Sequence, residues 1–95
     1  MHGRLAVRDA RTGAWRIIDV DSIDWVRTAG RGQVRASVGG RAQTWRIKIS
    51  DLERRLDPRV WVRIHRSVIV NAERIREVIR PAVEEEAART QAEDA

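Results

Sequence analysis

The sequence predicts a mainly β domain, with short antiparallel strands in small sheets and one short amphipathic helix over 51–56. Three observations carry this. Apolar residues between 4 and 49 come in short clusters punctuated by glycine and turn residues. Strict two-residue alternation flanks Gly39-Gly40. Near residue 50 the apolar spacing changes to four, until Asp57-Pro58 ends it. A chain of 95 residues holds one domain with a small core.

Leu5-Ala6-Val7 reads as a first strand, and Asp9-Ala10-Arg11-Thr12-Gly13 as turn chemistry. Trp15-Arg16-Ile17-Ile18-Asp19-Val20 is a second strand. Asp21-Ser22 opens a short helical turn before a third, Ile23-Asp24-Trp25-Val26-Arg27. A loop, 28–33, sets Arg31 between two glycines. Val34, Ala36 and Val38 then alternate with Arg35 and Ser37, Gly39-Gly40 turns the chain, and Trp45, Ile47 and Ile49 alternate with Arg46 and Lys48. That pattern is a hairpin with one buried face and one wet, basic face.

Ser50-Asp51-Leu52-Glu53 fits a capping box, in which the serine caps the helix and the glutamate returns the bond. Leu52 and Leu56 share the apolar face of helix 51–56. Val60-Trp61-Val62-Arg63-Ile64 resumes a strand, His65-Arg66-Ser67 is a polar break, and Val68-Ile69-Val70 is a buried run. Asn71-Ala72-Glu73-Arg74 reads as a turn before a last strand over 75–79. Beyond Pro81 the Ala- and Glu-rich composition favours helix or disorder. Residues 1–80 are thus expected to be the domain and 81–95 an acidic tail.

Charge narrows the function. Residues 1–80 carry 18 basic and 9 acidic residues, net +9, whereas 81–95 carry one and five, net −4. A compact basic domain with an acidic tail is the footprint of a nucleic-acid binder, against the plainer reading of a solvated basic surface. With no cysteine, disulfides, thiolate zinc sites and cysteine nucleophiles are excluded. No apolar run exceeds three residues, so neither a membrane span nor a signal-peptide core is expected, and the cytoplasm is the expected compartment.

Catalytic patterns are weak. His65 and Ser67 are spaced to share a strand face, but no glycine-framed nucleophile elbow accompanies them. No phosphate-binding glycine loop occurs, and His65 has no metal-ligand partner at suitable spacing. We therefore expect no enzyme, no metal, no cofactor and no small-molecule substrate. Arg63-Ile64-His65-Arg66-Ser67 places two guanidinium groups, an imidazole and a hydroxyl between apolar anchors. Guanidinium suits phosphate oxygens and guanine edges. The competing reading pairs Arg63 and Arg66 with Glu53, Asp57 or Glu77. Trp15, Trp25, Trp45 and Trp61 are read mostly as core, because Phe and Tyr are absent. Asn71 is read as a turn cap first and a phosphate contact second.

The run Trp61-Val62-Arg63-Ile64-His65-Arg66-Ser67-Val68-Ile69-Val70-Asn71, closing with Arg74-Ile75, resembles the signature of the LytTR DNA-binding domain. Upstream pieces agree in order: residues 21–26 resemble a family strand, Gly39-Gly40-Arg41 its hairpin turn, and 46–58 with Leu52-Glu53 and Leu56 its short helix. The resemblance covers about residues 4–80. It implies a bacterial transcription regulator that grips duplex DNA through loops, without a recognition helix, as pairs on direct repeats.

By the same resemblance, Arg66 matches the residue that touches base edges in a major groove. His65 and Ser67 match neighbours that hold phosphates, and Arg31 is the candidate in the other DNA-contacting loop. Arg63, Asn71 and Arg74 complete the candidates for phosphate contact or proximity. The chain departs from the family after Pro81, where another hairpin and a basic contact residue give way to the acidic tail. Another chain completing the sheet, the tail covering its edge, or a weakened binder would each accommodate that. Two further functions stand beside duplex recognition. One is a protein-interaction module pairing through an exposed sheet edge with full-length family members; the other is an RNA or single-strand binder.

Overall fold

Seven strands make up about half of residues 3–75, the part of the chain that the computed structural model describes. β1 (Arg4–Arg8) and β2 (Trp15–Asp19) form an antiparallel two-stranded sheet. A single 3-10 turn over Val20–Ser22, capped by the Asp19 carboxylate on the Asp21 N–H, leads into the second sheet. That sheet holds β3 (Ile23–Thr28), β4 (Val34–Val38), β5 (Arg41–Trp45), β6 (Trp61–His65) and β7 (Val68–Asn71). Its order is β5-β4-β3-β7-β6, with every neighbouring pair antiparallel. One helix, α1 (Ile49–Arg54), links β5 to β6. The mainly β expectation holds.

Local chemistry explains the turns. Gly39 and Gly40 have φ of 58° and 83°, and they join Val38 to its cross-strand partner Arg41. Two consecutive positive φ angles make the tight turn whose twist matches paired strands, which is why glycine fills both positions. In the β1–β2 turn, Asp9 accepts from the Arg11 and Thr12 N–H groups at 2.8 and 2.9 Å, and from Arg16 Nε at 3.1 Å. The Thr12 bond foremost holds the Asp9 carboxyl below its ordinary pKa; burial opposes, and Arg11 and Arg16 assist.

The core lies between the two sheets and α1. Leu5, Val7 and Ile18 from the small sheet meet Ile23, Val26, Val34, Trp45, Ile69 and Leu52. Burying such side chains stabilises by roughly 1.5–3 kcal/mol each. A smaller cluster lies on the other face of the large sheet, where Val68 and Val70 pack with Trp25 and Ile75. Among the described residues, no helix is long and apolar enough to cross a membrane.

Three expectations need correcting. The strand predicted over Trp45, Ile47 and Ile49 ends at Trp45. There the chain leaves β4 and the Arg46 N–H turns to the carbonyl of Arg8, 2.9 Å away. Second, α1 starts at Ile49, not 51, because the Lys48 carbonyl already accepts the Leu52 N–H. Lys48 is the N-cap and makes no side-chain capping bond, so Ser50 lies within the helix and no capping box forms. Third, Val60 sits in a turn, its N–H on the Asp57 carbonyl, and the strand begins at Trp61. The strand expected beyond Ile75 and the acidic tail lie outside the described residues.

Candidate nucleic-acid interface

Two polar segments far apart in sequence meet at one end of the large sheet. β3 and β7 pair with Arg27 opposite Val68, so the loop leaving β3 stands beside the turn entering β7. The Thr28 N–H donates to the Ser67 carbonyl at 2.9 Å and ties them together. This end carries Arg31, Arg63, His65, Arg66 and Ser67.

The first loop, 28–33, is closed by a bond from the Ala29 N–H to the Gln33 carbonyl at 3.0 Å. Gly30 and Gly32 take φ of 94° and 63°, angles that side-chain-bearing residues avoid. Arg31 is therefore presented at an exposed tip. At its base Arg27 is buried, with Nη1 donating to the Thr28 carbonyl at 3.2 Å.

The second segment, between β6 and β7, is braced from both sides. Arg63 donates through Nη1 to Glu53 Oε1 at 3.0 Å and through Nη2 to the Arg66 carbonyl at 2.7 Å. The Ser67 N–H donates to His65 Nδ1 at 3.1 Å. Arg66 itself is exposed. Among the described residues, no carboxylate pairs with Arg66 or Arg31, whereas Arg63 has the Glu53 partner that the competing reading named.

The His65–Ser67 pair is not a nucleophile and its base. The contact runs through the Ser67 main chain, and Ser67 is buried. Among the described residues, no group of three or more His, Asp or Glu side chains could hold a metal.

Asn71 and Arg74 lie at the opposite end, about 13 Å away at ~3.3 Å of rise for each residue of β3. Asn71 is only 2% exposed; its Nδ2 donates to the Ile23 carbonyl and its Oδ1 accepts the Glu73 N–H, both at 3.0 Å. It caps the turn, as first read. Arg74 Nε meets Asp24 Oδ1 at 2.6 Å. Asp24 also accepts from Ser37 Oγ at 2.8 Å and from the Gly40 N–H at 3.1 Å. Burial pushes the Asp24 carboxyl up, but the bonds from Arg74, Ser37 and Gly40 outweigh it and hold the pKa below its ordinary value.

The tryptophans divide. Trp45 and Trp61 are core and Trp25 is half-buried. Trp15 is 66% exposed, which the core reading missed. Its strand alternates Trp15, Ile17 and Asp19 outward, a pattern that gives no sign of which face is covered.

The fold agrees with comparisons to known proteins. The family model described as LytTr DNA-binding domain matches residues 13–88, and so extends into the segment expected to be a separate tail. No curated protein matches the sequence. Among solved structures, the chain is similar to the LytTr DNA-binding domain of a methyl-accepting/DNA response regulator from Bacillus cereus. That match has a TM-score of 0.63 and 19% identity, and covers 84% of this chain and 70% of the other. At that identity the structural likeness speaks for the fold, while the family match spans most of the sequence, including the signature from Trp61 to Asn71. The chain belongs to the LytTR DNA-binding domain family.

Proposed function

We propose that the chain is a bacterial transcription regulator that reads duplex DNA sequence-specifically through the paired loops at the Thr28–Ser67 end of the large sheet. Arg66 enters a major groove and pairs with a guanine edge, a contact worth roughly 1–3 kcal/mol of discrimination. Arg31 on the neighbouring loop holds a phosphate, and His65 and Ser67 shape and flank the turn. About five to eight arginine–phosphate contacts supply capture, giving a salt slope of similar size. The protein acts in the cytoplasm, with two copies on a direct repeat.

The observation that supports this reading is the Thr28–Ser67 bond, which ties the loop bearing Arg31 to the turn bearing Arg66. Asn71 and Arg74 enter only through the framework, since their polar groups hold the far end of the sheet. The test is selection from a randomised duplex pool, with Arg66→Ala run beside the native chain at two salt concentrations. A short repeated element enriched by the native chain and blurred by Arg66→Ala is the expected result. Salt-sensitive retention without enrichment, equal in both proteins, overturns base reading.

A second reading has its own observation. Among the described residues β6 is an edge strand, and Val62 and Ile64 on its outward side are 46% and 38% exposed. Free main-chain groups beside apolar side chains suit pairing with another strand, here that of a full-length family member. A concentration-dependent dimer without DNA affinity would favour it.

A further inference from the structure

We propose that the outer face of the β1–β2 sheet is a protein-docking surface for an acidic segment that carries one apolar anchor. The register pairs Ala6 with Ile17 and Arg8 with Trp15, and cross-strand partners share a face. Leu5, Val7 and Ile18 point the other way into the core. The outer face therefore shows Ala6, Ile17 and Trp15 side by side, with Ile17 65% exposed and Trp15 as open. Two adjacent large apolar side chains left in water on so small a domain mark an interaction site.

Beside Trp15 lies a groove of about 120 Å3, lined also by Ala6, Val7 and Ile47 and by the cations Arg8, Arg46 and Arg55. The guanidinium of Arg8 lies over the Trp15 ring, 5.5 Å from its centroid, and Nε donates to the Gly13 carbonyl at 3.2 Å. Arg46 donates to the Ala10 carbonyl at 3.1 Å. Both are held by neutral carbonyls, which fix position without cancelling charge. Among the described residues, no carboxylate pairs with Arg8, Arg46 or Arg55. The face thus joins a tryptophan, an aliphatic patch and three uncompensated cations.

Charge and shape select the occupant. A second copy in a two-fold contact would set these cations against one another. A nucleic-acid strand would satisfy the arginines, but Ala6 and Ile17 offer a base no ring to stack on, and Arg8 already covers one face of Trp15. An acidic polypeptide uses every part: carboxylates for the guanidinium groups and one apolar side chain for the groove. Tryptophan and arginine are also the residues that most often dominate protein interfaces. The surface uses neither Arg31 nor Arg66, so it is independent of the DNA reading.

The test is selection of a displayed random peptide library on the intact chain, compared with Trp15→Ser and Arg55→Gln. Both side chains are exposed, so both variants fold, as circular dichroism would verify. The expected result is enrichment of peptides with several carboxylates around one large apolar residue. Their binding falls about tenfold or more in Trp15→Ser, and falls with Arg55→Gln and with added salt, while duplex DNA affinity is unchanged. Absence of enrichment, enriched peptides without carboxylates, or equal binding to Trp15→Ser overturns the proposal. So does tryptophan quenching by a single-stranded oligonucleotide that Trp15→Ser abolishes, which would assign the face to nucleic acid. Self-association lost in Trp15→Ser would assign it to a second copy and overturn the proposal equally.

Discussion

Arg63 donates to the main-chain carbonyl of Arg66 at 2.7 Å while Glu53 holds its other amino group at 3.0 Å. A side chain expected to meet phosphate is thereby a strut between α1 and the turn that displays Arg66. Replacing Arg63 by methionine keeps much of the stem and removes the strut. Affinity for the preferred site should fall about three- to tenfold, near the ~1 kcal/mol of one such bond. In a double-variant cycle with Arg66→Ala the losses should be non-additive, since the strut matters only while Arg66 reads. A direct phosphate role predicts additive losses and a salt slope smaller by about one. Fluorescence anisotropy with labelled duplexes separates the two.

Arg31 and Arg66 stand on neighbouring segments joined by the Thr28–Ser67 bond but are assigned different work. Arg66→Ala should lower the ratio of specific to non-specific affinity by about 1–3 kcal/mol. Arg31→Ala should weaken all sequences alike and reduce the salt slope by about one. Titration of matched and scrambled duplexes over a salt series checks both. Equal loss of specificity in the two variants would put Arg31 at a base edge.

Much of this was legible in the sequence, for identifiable reasons. Gly39-Gly40 between alternating residues specifies its hairpin because few residues accept two successive positive φ angles. The run from Trp61 to Asn71 carries its turn and its apolar anchors locally. What the sequence did not show depends on partners distant along the chain. Nothing in 28–33 says that its neighbour is Ser67; only the pairing of β3 with β7 does. Arg74 is one more surface cation until the fold brings Asp24 to it from fifty residues away. The helix start moved because Ser50 fits a capping pattern that Lys48 pre-empts with its carbonyl. Trp15 was misjudged because alternation shows two faces without showing which one is covered.

Acid should unfold the domain partly through Asp24. Its folded-state pKa is held below the ordinary value, and an unfolded aspartate titrates near 3.9. The group therefore contributes stability above about pH 3.9, and that contribution is lost as pH falls through the lower folded value. Asp24→Asn should lower stability at pH 7 and flatten the acid limb, because the variant has no proton to take up there. Urea denaturation midpoints from pH 7 down to about 3 would show the two curves converging. Parallel curves would mean that other carboxylates govern the acid transition.

Gly32→Ala tests whether the shape of the 28–33 loop, rather than its charge, delivers Arg31. Gly32 has φ of +63°, and a Cβ there would meet nothing within 4 Å. The substitution therefore adds backbone strain without a clash, about 1–2 kcal/mol in the left-handed region. The loop is a surface segment closed by the Ala29–Gln33 bond, so relaxing locally costs less than straining the strands. The melting temperature should accordingly change little, while DNA affinity falls by no more than it does in Arg31→Ala. Adding Gly32→Ala to Arg31→Ala should then cost nothing further, because a displaced loop has no contact left to lose. A fall in melting temperature of about 4–8 °C with DNA affinity intact would mean that the neighbouring turn holds the loop in its strained shape. In that case the Thr28–Ser67 bond would be part of a rigid platform, and Arg31 would be presented by the whole sheet end and not by its own glycines.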